Sequence, residues 1–129
     1  MKSAAVLLVD DEEELVLTLQ TRLGMRGIPA LVAMGGDEAL RIARETPIAV
    51  AVLDLKMPGL SGLEVRQALR GLYPDIRTIL VTGHGSTDET QAEGSTEDGE
   101  ILLKPFSLDS LVELIRTGLA ERKGDRDDC

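Results

Sequence analysis

Hydrophobic residues follow two alternating patterns along this chain. Short aliphatic runs, typical of buried strands, alternate with longer segments in which apolar residues recur at helical spacing. The strand-like runs occupy residues 4–9, 30–33, 48–53, 78–81 and 101–103. The central run, "IAVAVL" at residues 48–53, is apolar throughout, which is typical of a parallel strand that helices cover on both faces.

Helical segments separate these runs. In the first, Leu15, Leu19 and Leu23 form one apolar stripe, and the acidic residues 12–14 stand at its start, where carboxylates interact favourably with the helix dipole. The spacing predicts further helices over residues 37–45, 61–72 and 107–121. With a weaker helix before the fifth strand, the alternation predicts a doubly wound α/β domain of five parallel strands. For this domain we expect the strand order 2-1-3-4-5, one of the two common orders of such sheets.

Residues 86–100, "STDETQAEGSTEDGE", fit this alternation poorly. The segment is rich in acidic residues, and Ala92 is its only apolar residue, so a helix here would bury almost nothing. We expect either a short or mobile fourth helix or a solvated loop, with equal weight. After a single domain over residues 1–121, residues 122–129 are expected to form a polar tail or linker stub.

Composition and charge exclude several functions. The 129 residues suffice for one domain, and a formal net charge of −9 without a basic patch argues against direct nucleic-acid binding. No apolar stretch approaches the roughly 20 residues needed to cross a bilayer, and the N-terminus lacks a signal-peptide pattern. The single cysteine, Cys129, cannot form an intrachain disulfide and fits a reducing compartment, so we expect a cytoplasmic protein with no membrane partner.

Candidate chemistry lies where the predicted strands end. Asp10 and Asp11 follow the first strand, Asp54 the third, Thr82 ends the fourth and Lys104 follows the fifth. These ends meet at one edge of a parallel sheet. Two carboxylates about 4 Å apart repel by about 4 kcal/mol at an effective dielectric near 20, so such a cluster implies either a bound cation or a protonated member. A few carboxylates suit Mg²⁺ better than Ca²⁺, which takes six to eight oxygens.

Asp54 has a second candidate role as a nucleophile. A carboxylate can attack phosphorus and form an aspartyl phosphate, a reaction that depends on neutralising the phosphoryl oxygens. The Lys104 ammonium and the Thr82 hydroxyl could each stabilise one such oxygen. Each residue alone has an ordinary explanation as a helix cap, a strand end or a solvated turn residue. Four strand ends that carry these residue types together favour the chemical interpretation.

Nearly the whole chain, from about Ser3 to Glu121, resembles the receiver domain of bacterial two-component response regulators. The matching stretches are "LLVDDEEE" at residues 7–14, "GDEAL" at 36–40, "VLDLKMPGLSGLEV" at 52–65, "ILVTGHG" at 79–85 and "LLKPFSLDSL" at 102–111. Their order and separations match as well. The resemblance implies a flavodoxin-like fold and a cis peptide at Lys104–Pro105.

The resemblance also implies roles for particular residues. Asp54 would receive a phosphoryl group from the phosphohistidine of a sensor histidine kinase or a phosphotransfer protein. Thr82 and Lys104 would contact that group. The implied Mg²⁺ ligands are Asp10, Asp11, Asp54 and the backbone carbonyl of Lys56. The domain would be no enzyme in the usual sense, because it would catalyse only its own phosphorylation and dephosphorylation.

The sequence says less about how the domain would pass its signal to a partner. The family passes it through the face of the fourth helix, fifth strand and fifth helix, which implies a homodimer on phosphorylation. Phe or Tyr is usual at the position of Ile101, and a small Gly-Ala pair is usual at Glu97 and Asp98. We therefore expect phosphorylation to persist with an altered output, although Ile101 could simply pack within an ordinary switch. A receiver-like interaction module with a phosphorylation-independent output stays open as an alternative.

Two further residues lie beside the expected aspartyl phosphate. Lys56 and His84 each follow a site residue by two positions. Lys56 is long enough to shield the phosphoryl group from water, which predicts a long-lived phosphorylated form. For His84, the only histidine, an exposed loop position is the favoured interpretation over a catalytic one.

Rival functions fit the sequence less well. An aspartyl-nucleophile phosphatase carries a second acid two residues after the nucleophile, where this chain has Lys56. Flavin binding needs a neutral phosphate loop after the first strand, and "DDEEE" would repel the phosphate. No effector region is recognisable after Glu121, so we expect either a single-domain regulator or the N-terminal portion of a longer one. The stretch "VTGHG" is similar to receivers of the nitrogen-regulation type.

Overall fold

Parallel strands and covering helices alternate in the computed structural model of the chain, which describes residues 5–83 and 100–127. The strands are β1 (Ala5–Val9), β2 (Ala30–Ala33), β3 (Ile48–Asp54), β4 (Arg77–Thr82) and β5 (Glu100–Leu103). The described helices are α1 (Glu13–Met25), α2 (Gly36–Glu45), α3 (Gly62–Leu72) and α4 (Leu108–Asp127). The fourth helix was predicted within residues 86–100; residues 86–99 lie outside the described residues, and Glu100 begins β5.

The sheet confirms the predicted strand order. Its five strands pair in the order β2-β1-β3-β4-β5, and each pairing is parallel. The register places Asp54 opposite Val81, and it places Thr82 opposite Leu103. The carboxyl ends of β3, β4 and β5 are therefore level with one another, which brings the residues at those ends to a common edge.

Strand β3 is buried along its whole length, as its apolar sequence predicts. From Val50 onward its side chains alternate between two apolar clusters, because successive residues of a strand point to opposite faces. Val50 and Val52 belong to the cluster that includes residues of α1 and α4. Ala51 and Leu53 belong to the cluster that includes residues of α2 and α3. Helices thus cover both faces of the central strand, and Asp54 emerges at its end.

The turn between β3 and α3 is tightly packed behind this end. A Cβ on Gly62 would lie 2.5 Å from the backbone oxygen of Asp54, so only glycine allows the chain to return so closely. Ser61 and Glu64 form a capping box in which each side chain accepts a hydrogen bond from the other's backbone N–H, at 3.2 and 2.9 Å. These contacts fix the loop that carries Lys56.

The last helix differs in length from the prediction. The Ser107 hydroxyl accepts a hydrogen bond from the backbone N–H of Ser110 at 3.0 Å, as expected of an N-cap. The helix α4 then runs to Asp127, past the predicted end near Glu121, and the division into residues 1–121 and 122–129 stays a prediction. The peptide bond Lys104–Pro105 is cis, as the resemblance implied. Over the described residues, no helix is long and apolar enough to cross a membrane.

Candidate functional site

Four strand ends position the candidate side chains. Asp10 directly follows β1, Asp54 ends β3, Thr82 ends β4 and Lys104 directly follows β5. A backbone hydrogen bond of 2.8 Å from the N–H of Lys104 to the carbonyl oxygen of Thr82 ties two of these ends together. The structure therefore brings together the residues that the sequence placed at strand ends.

Three acidic side chains form the centre of the site. Asp10, Asp11 and Asp54 each offer a carboxylate oxygen, and these oxygens lie within 4.8 Å of one another. Asp10 and Asp54 are each only 7% exposed, whereas Asp11 is exposed. Within the described part of the chain, no other group of acidic, histidine or cysteine side chains meets in this way. Burial of two carboxylates side by side is costly unless a positive charge compensates them.

The environment of Asp54 changes its acidity. Burial raises the pKa of Asp54 from 3.8 to about 6, and the neighbouring negative charge of Asp10 adds to this rise. The positive charge of Lys104 and a hydrogen bond from the Lys56 backbone oppose the rise in pKa without cancelling it. The raised pKa reflects first the burial of the Asp54 carboxylate and then the negative charge of Asp10 beside it.

Lys104 is the cation of the site. Its Nζ lies 3.6 Å from Oδ2 of Asp10 and 3.3 Å from Oε1 of Glu12. Partial burial alone would lower the pKa of Lys104, but the negative charges of Asp10 and Asp54 and the contact with Glu12 outweigh this effect and raise it. The side chain is therefore a stable ammonium beside the acidic cluster.

Glu12 is the site residue that sequence reasoning missed. The acids at residues 12–14 were all explained by the dipole of α1, and only Glu13 and Glu14 lie in its first turn. Glu12 precedes the helix, and its backbone N–H donates a hydrogen bond of 2.9 Å to Oδ1 of Asp10. Its side chain reaches Lys104. The sequence did contain one indication of this role, because Glu12 directly follows two candidate metal ligands.

The remaining predicted residues have clear positions or lie outside the described range. Thr82 is buried, and the side chain of Lys56 is exposed at the rim. Ile101 is half-buried and packs against the apolar cluster of α2 and α3. His84, Glu97 and Asp98 fall outside the described residues, so the predictions that depend on them stay predictions.

The acidic cluster fits a divalent cation. Carboxylate oxygens are the hard ligands that Mg²⁺ and Ca²⁺ take. The cluster presents one oxygen from each of Asp10, Asp11 and Asp54 at close range, and two of these residues are buried. A bound cation would compensate the negative charge of Asp10, which adds to the rise that burial causes in the pKa of Asp54. The residues present therefore suit a metal ion bound through oxygen.

Known proteins are similar to this chain in sequence. The response regulator receiver domain family matches residues 6–116. The transcriptional regulatory protein PrrA of Mycobacterium leprae is 34% identical over 122 residues, which cover 95% of this chain and 52% of PrrA. This chain thus spans about half the length of that curated relative.

Solved structures agree with the sequence match. A response regulator receiver domain protein from Clostridium thermocellum has a TM-score of 0.84 at 31% identity, covering 94% of this chain and 98% of that one. The response regulator protein TrrA from Thermotoga maritima, solved in complex with Mg²⁺-BeF, has a TM-score of 0.76 at 30% identity, covering 90% of this chain and 99% of that one. By fold, strand-end residues and family match, this chain belongs to the response regulator receiver domain family.

Proposed function

We propose that this chain is the phosphoacceptor receiver domain of a two-component phosphorelay and that Asp54 is its phosphoacceptor. Receiver domains interact with histidine kinases or phosphotransfer proteins, so the donor would be a phosphohistidine on one of these. The observation that carries the proposal is the convergence of Asp54 with two further carboxylates and with the charge of Lys104 at one sheet edge. This arrangement places a nucleophile beside the charges that phosphoryl transfer needs.

The transfer would form one bond and break another. A carboxylate oxygen of Asp54 attacks phosphorus, and the P–N bond of the phosphohistidine breaks. The electron pair of that bond stays on the imidazole nitrogen. The other ring nitrogen of the phosphohistidine carries a proton, so the imidazole leaves as a neutral group. Because the pKa of Asp54 is about 6, its carboxylate is mainly ionised above neutral pH and can act as the nucleophile.

Lys104 and Thr82 are proposed to stabilise the phosphoryl oxygens. Lys104 is held at the site as an ammonium by Asp10 and Glu12, so its charge is in place before the reaction. The Thr82 hydroxyl sits at the buried end of β4, where it could donate one hydrogen bond. A positive charge that is already present at the site stabilises negative charge that develops beside it.

The proposed metal is Mg²⁺. Its ligands would be Asp10, Asp11, Asp54 and the backbone carbonyl of Lys56. When bound, this ion supplies positive charge that neutralises phosphoryl oxygens. The Mg²⁺-BeF complex of the similar protein TrrA supports this choice of metal.

The signal is proposed to leave through the face that carries β5 and α4, with a homodimer as one outcome of phosphorylation. Strand β5 lies at the edge of the sheet, and Leu103 at its end is 62% exposed. The family usually has Phe or Tyr at the position of Ile101, but Ile101 has no aromatic ring and packs against the cluster of α2 and α3, so an aromatic side chain takes no part in the output at this position. The output would therefore depend on shifts of the edge strand.

Treatment with acetyl phosphate and Mg²⁺ tests this proposal. Mass spectrometry should show one added phosphoryl group on the wild-type chain, and Asp54→Asn should abolish it. Asp75→Asn is the matched control, because Asp75 is exposed in the turn before β4 and should leave labelling unchanged. Light scattering on the same samples reports assembly. Labelling that persists in Asp54→Asn would contradict the assignment of the phosphoacceptor.

A further inference from the structure

Glu12 occupies a helix N-cap position without capping the helix. A side chain at this position commonly accepts a hydrogen bond from the first turn, but Glu12 makes no such bond in α1. Its Oε1 instead lies 3.3 Å from Nζ of Lys104, a residue 92 positions away in the chain. The backbone N–H of Glu12 is fixed by Asp10 at 2.9 Å. Glu12 is therefore anchored by one site residue while it contacts another.

The ammonium of Lys104 faces three negative groups, which are Asp10, Glu12 and Asp54. Under the proposed function, Asp10 and Asp54 are already engaged as a metal ligand and as the phosphoacceptor. Glu12 has neither role, and its side chain is 63% exposed, so it can leave the contact without disturbing the core. Among the three groups, Glu12 is the partner that Lys104 can exchange.

We infer that Glu12 is a positioning residue that holds Lys104 in the unphosphorylated domain and competes with the phosphoryl group for its ammonium. This inference rests on the proposed function, in which Lys104 donates to a phosphoryl oxygen. The carboxylate of Glu12 offers the same kind of acceptor as that oxygen, so the two compete for the same N–H donors. Since an exposed ion pair is weak, the competition should reduce anion affinity by about two- to five-fold.

The test uses BeF₃⁻, formed from beryllium and fluoride, as the probe of the phosphoryl site. Its binding to the full chain with Mg²⁺ is followed by ¹⁹F NMR in wild type, Glu12→Gln, Glu12→Asp and Glu13→Gln. Glu12→Gln should raise the affinity by about two- to five-fold. Glu12→Asp should also raise it, because the shorter carboxylate keeps its charge but loses the contact.

The matched control separates contact from charge. Glu13 is exposed in the first turn of α1 and carries the same charge. Glu13→Gln should leave the affinity closer to that of the wild type than Glu12→Gln does. An equal rise in both variants would overturn the inference, because net charge alone would then explain it. An unchanged or lower affinity in Glu12→Gln would overturn it as well.

A second measurement needs no metal. The NMR signal of the Lys104 Nζ should change in Glu12→Gln and not in Glu13→Gln, and an unchanged signal in both would overturn the inference. A wild-type chain that does not bind BeF₃⁻ would overturn the proposed function together with this inference. Normal BeF₃⁻ binding without the Glu12 effect would overturn only the inference.

Discussion

Two regions of the molecule join a basic side chain to carboxylates, and they differ more in burial than in distance. At the strand ends, the side chains of Lys104 and Asp10 are 24% and 10% exposed and lie 3.6 Å apart. Between the end of α1 and the start of α4, Arg26 and Asp109 are closer, at 2.9 Å, but are 40% and 84% exposed. Water screens the second pair far more than the first, so the longer contact has the larger electrostatic effect.

The two regions also have different neighbours. Beside Lys104 lie the carboxylates of Asp10 and Asp54, and the negative charge of Asp10 adds to the raised pKa of Asp54. Beside Arg26, the Arg116 side chain donates a hydrogen bond of 2.9 Å to the Arg26 backbone oxygen. The exposed region therefore joins two helices, whereas the buried region concentrates charge at the candidate site. Of two ion pairs, the shorter is the stronger only when both are buried to a similar extent.

The two regions should differ most in how the loss of their basic side chain changes the rate of labelling. Lys104→Ala should slow labelling by acetyl phosphate about 100-fold, because it removes a fixed charge that stabilises the phosphoryl oxygens. Arg26→Ala is the matched control and should label at the wild-type rate. The measurement is the rate of mass increase with Mg²⁺ present. Equal labelling rates in the two variants would contradict the role proposed for Lys104.

The pH dependence of stability should differ between a buried and an exposed acid. The folded-state pKa of Asp54, about 6, lies above its ordinary value of 3.8, so the folded protein holds this proton more tightly than the unfolded chain does. That stabilisation is complete below about pH 4 and is lost as the pH rises through about 6. Without metal, Asp54→Asn should therefore gain roughly 1–3 kcal/mol over the wild type between about pH 4 and pH 8.

Urea unfolding in EDTA at several pH values measures this gain. Asp75→Asn provides the exposed control, and its difference from the wild type should stay constant over the same pH range. A constant difference for Asp54→Asn as well would show that the buried carboxylate titrates like the exposed one.

The backbone behind the buried region should tolerate no added atoms. Gly62→Ala places a methyl group against the backbone of Asp54, which should lower the free energy of unfolding by about 1–3 kcal/mol. Gly71→Ala, in the same helix, meets no atom within 4 Å and should stabilise the protein by about 0.5–1 kcal/mol. Urea unfolding compares the two. The same sign of change in both variants would contradict the close packing inferred at Gly62.

The smallest effect is expected at the exposed pair. Asp109→Asn removes a salt bridge with Arg26 and a carboxylate in the first turn of α4. Together these should contribute at most about 1 kcal/mol to the free energy of unfolding, and less at high salt. Urea unfolding at low and high salt measures this. A loss that salt does not reduce would indicate that the pair is not screened as its exposure implies.

Hydrophobic periodicity predicted most of the fold and the place of the site. Strand β3 was recognisable because it is apolar on both faces, and its burial on both faces explains why Asp54 emerges at the centre of the sheet. Once the strands were placed, the common edge of Asp54, Thr82 and Lys104 followed from the parallel order. No single motif was needed for this prediction.

Two features were not predicted because no pattern of hydrophobic residues marks them. The helix α4 continues to Asp127 through residues that form no hydrophobic stripe. Its end could therefore not be predicted from hydrophobic periodicity. Glu12 was missed for a similar reason, since three consecutive acids give no indication of which one turns away from the helix. Only the position of Lys104 in space distinguishes it.

The burial of β3 has a mechanical consequence. All seven residues of this strand are buried, whereas every residue of β5 is at least partly exposed. Close-packed interiors resist deformation, so an added group at Asp54 should meet a stiff support beneath it. We therefore expect the displacement that an added group causes to be directed toward β5, at the edge of the sheet.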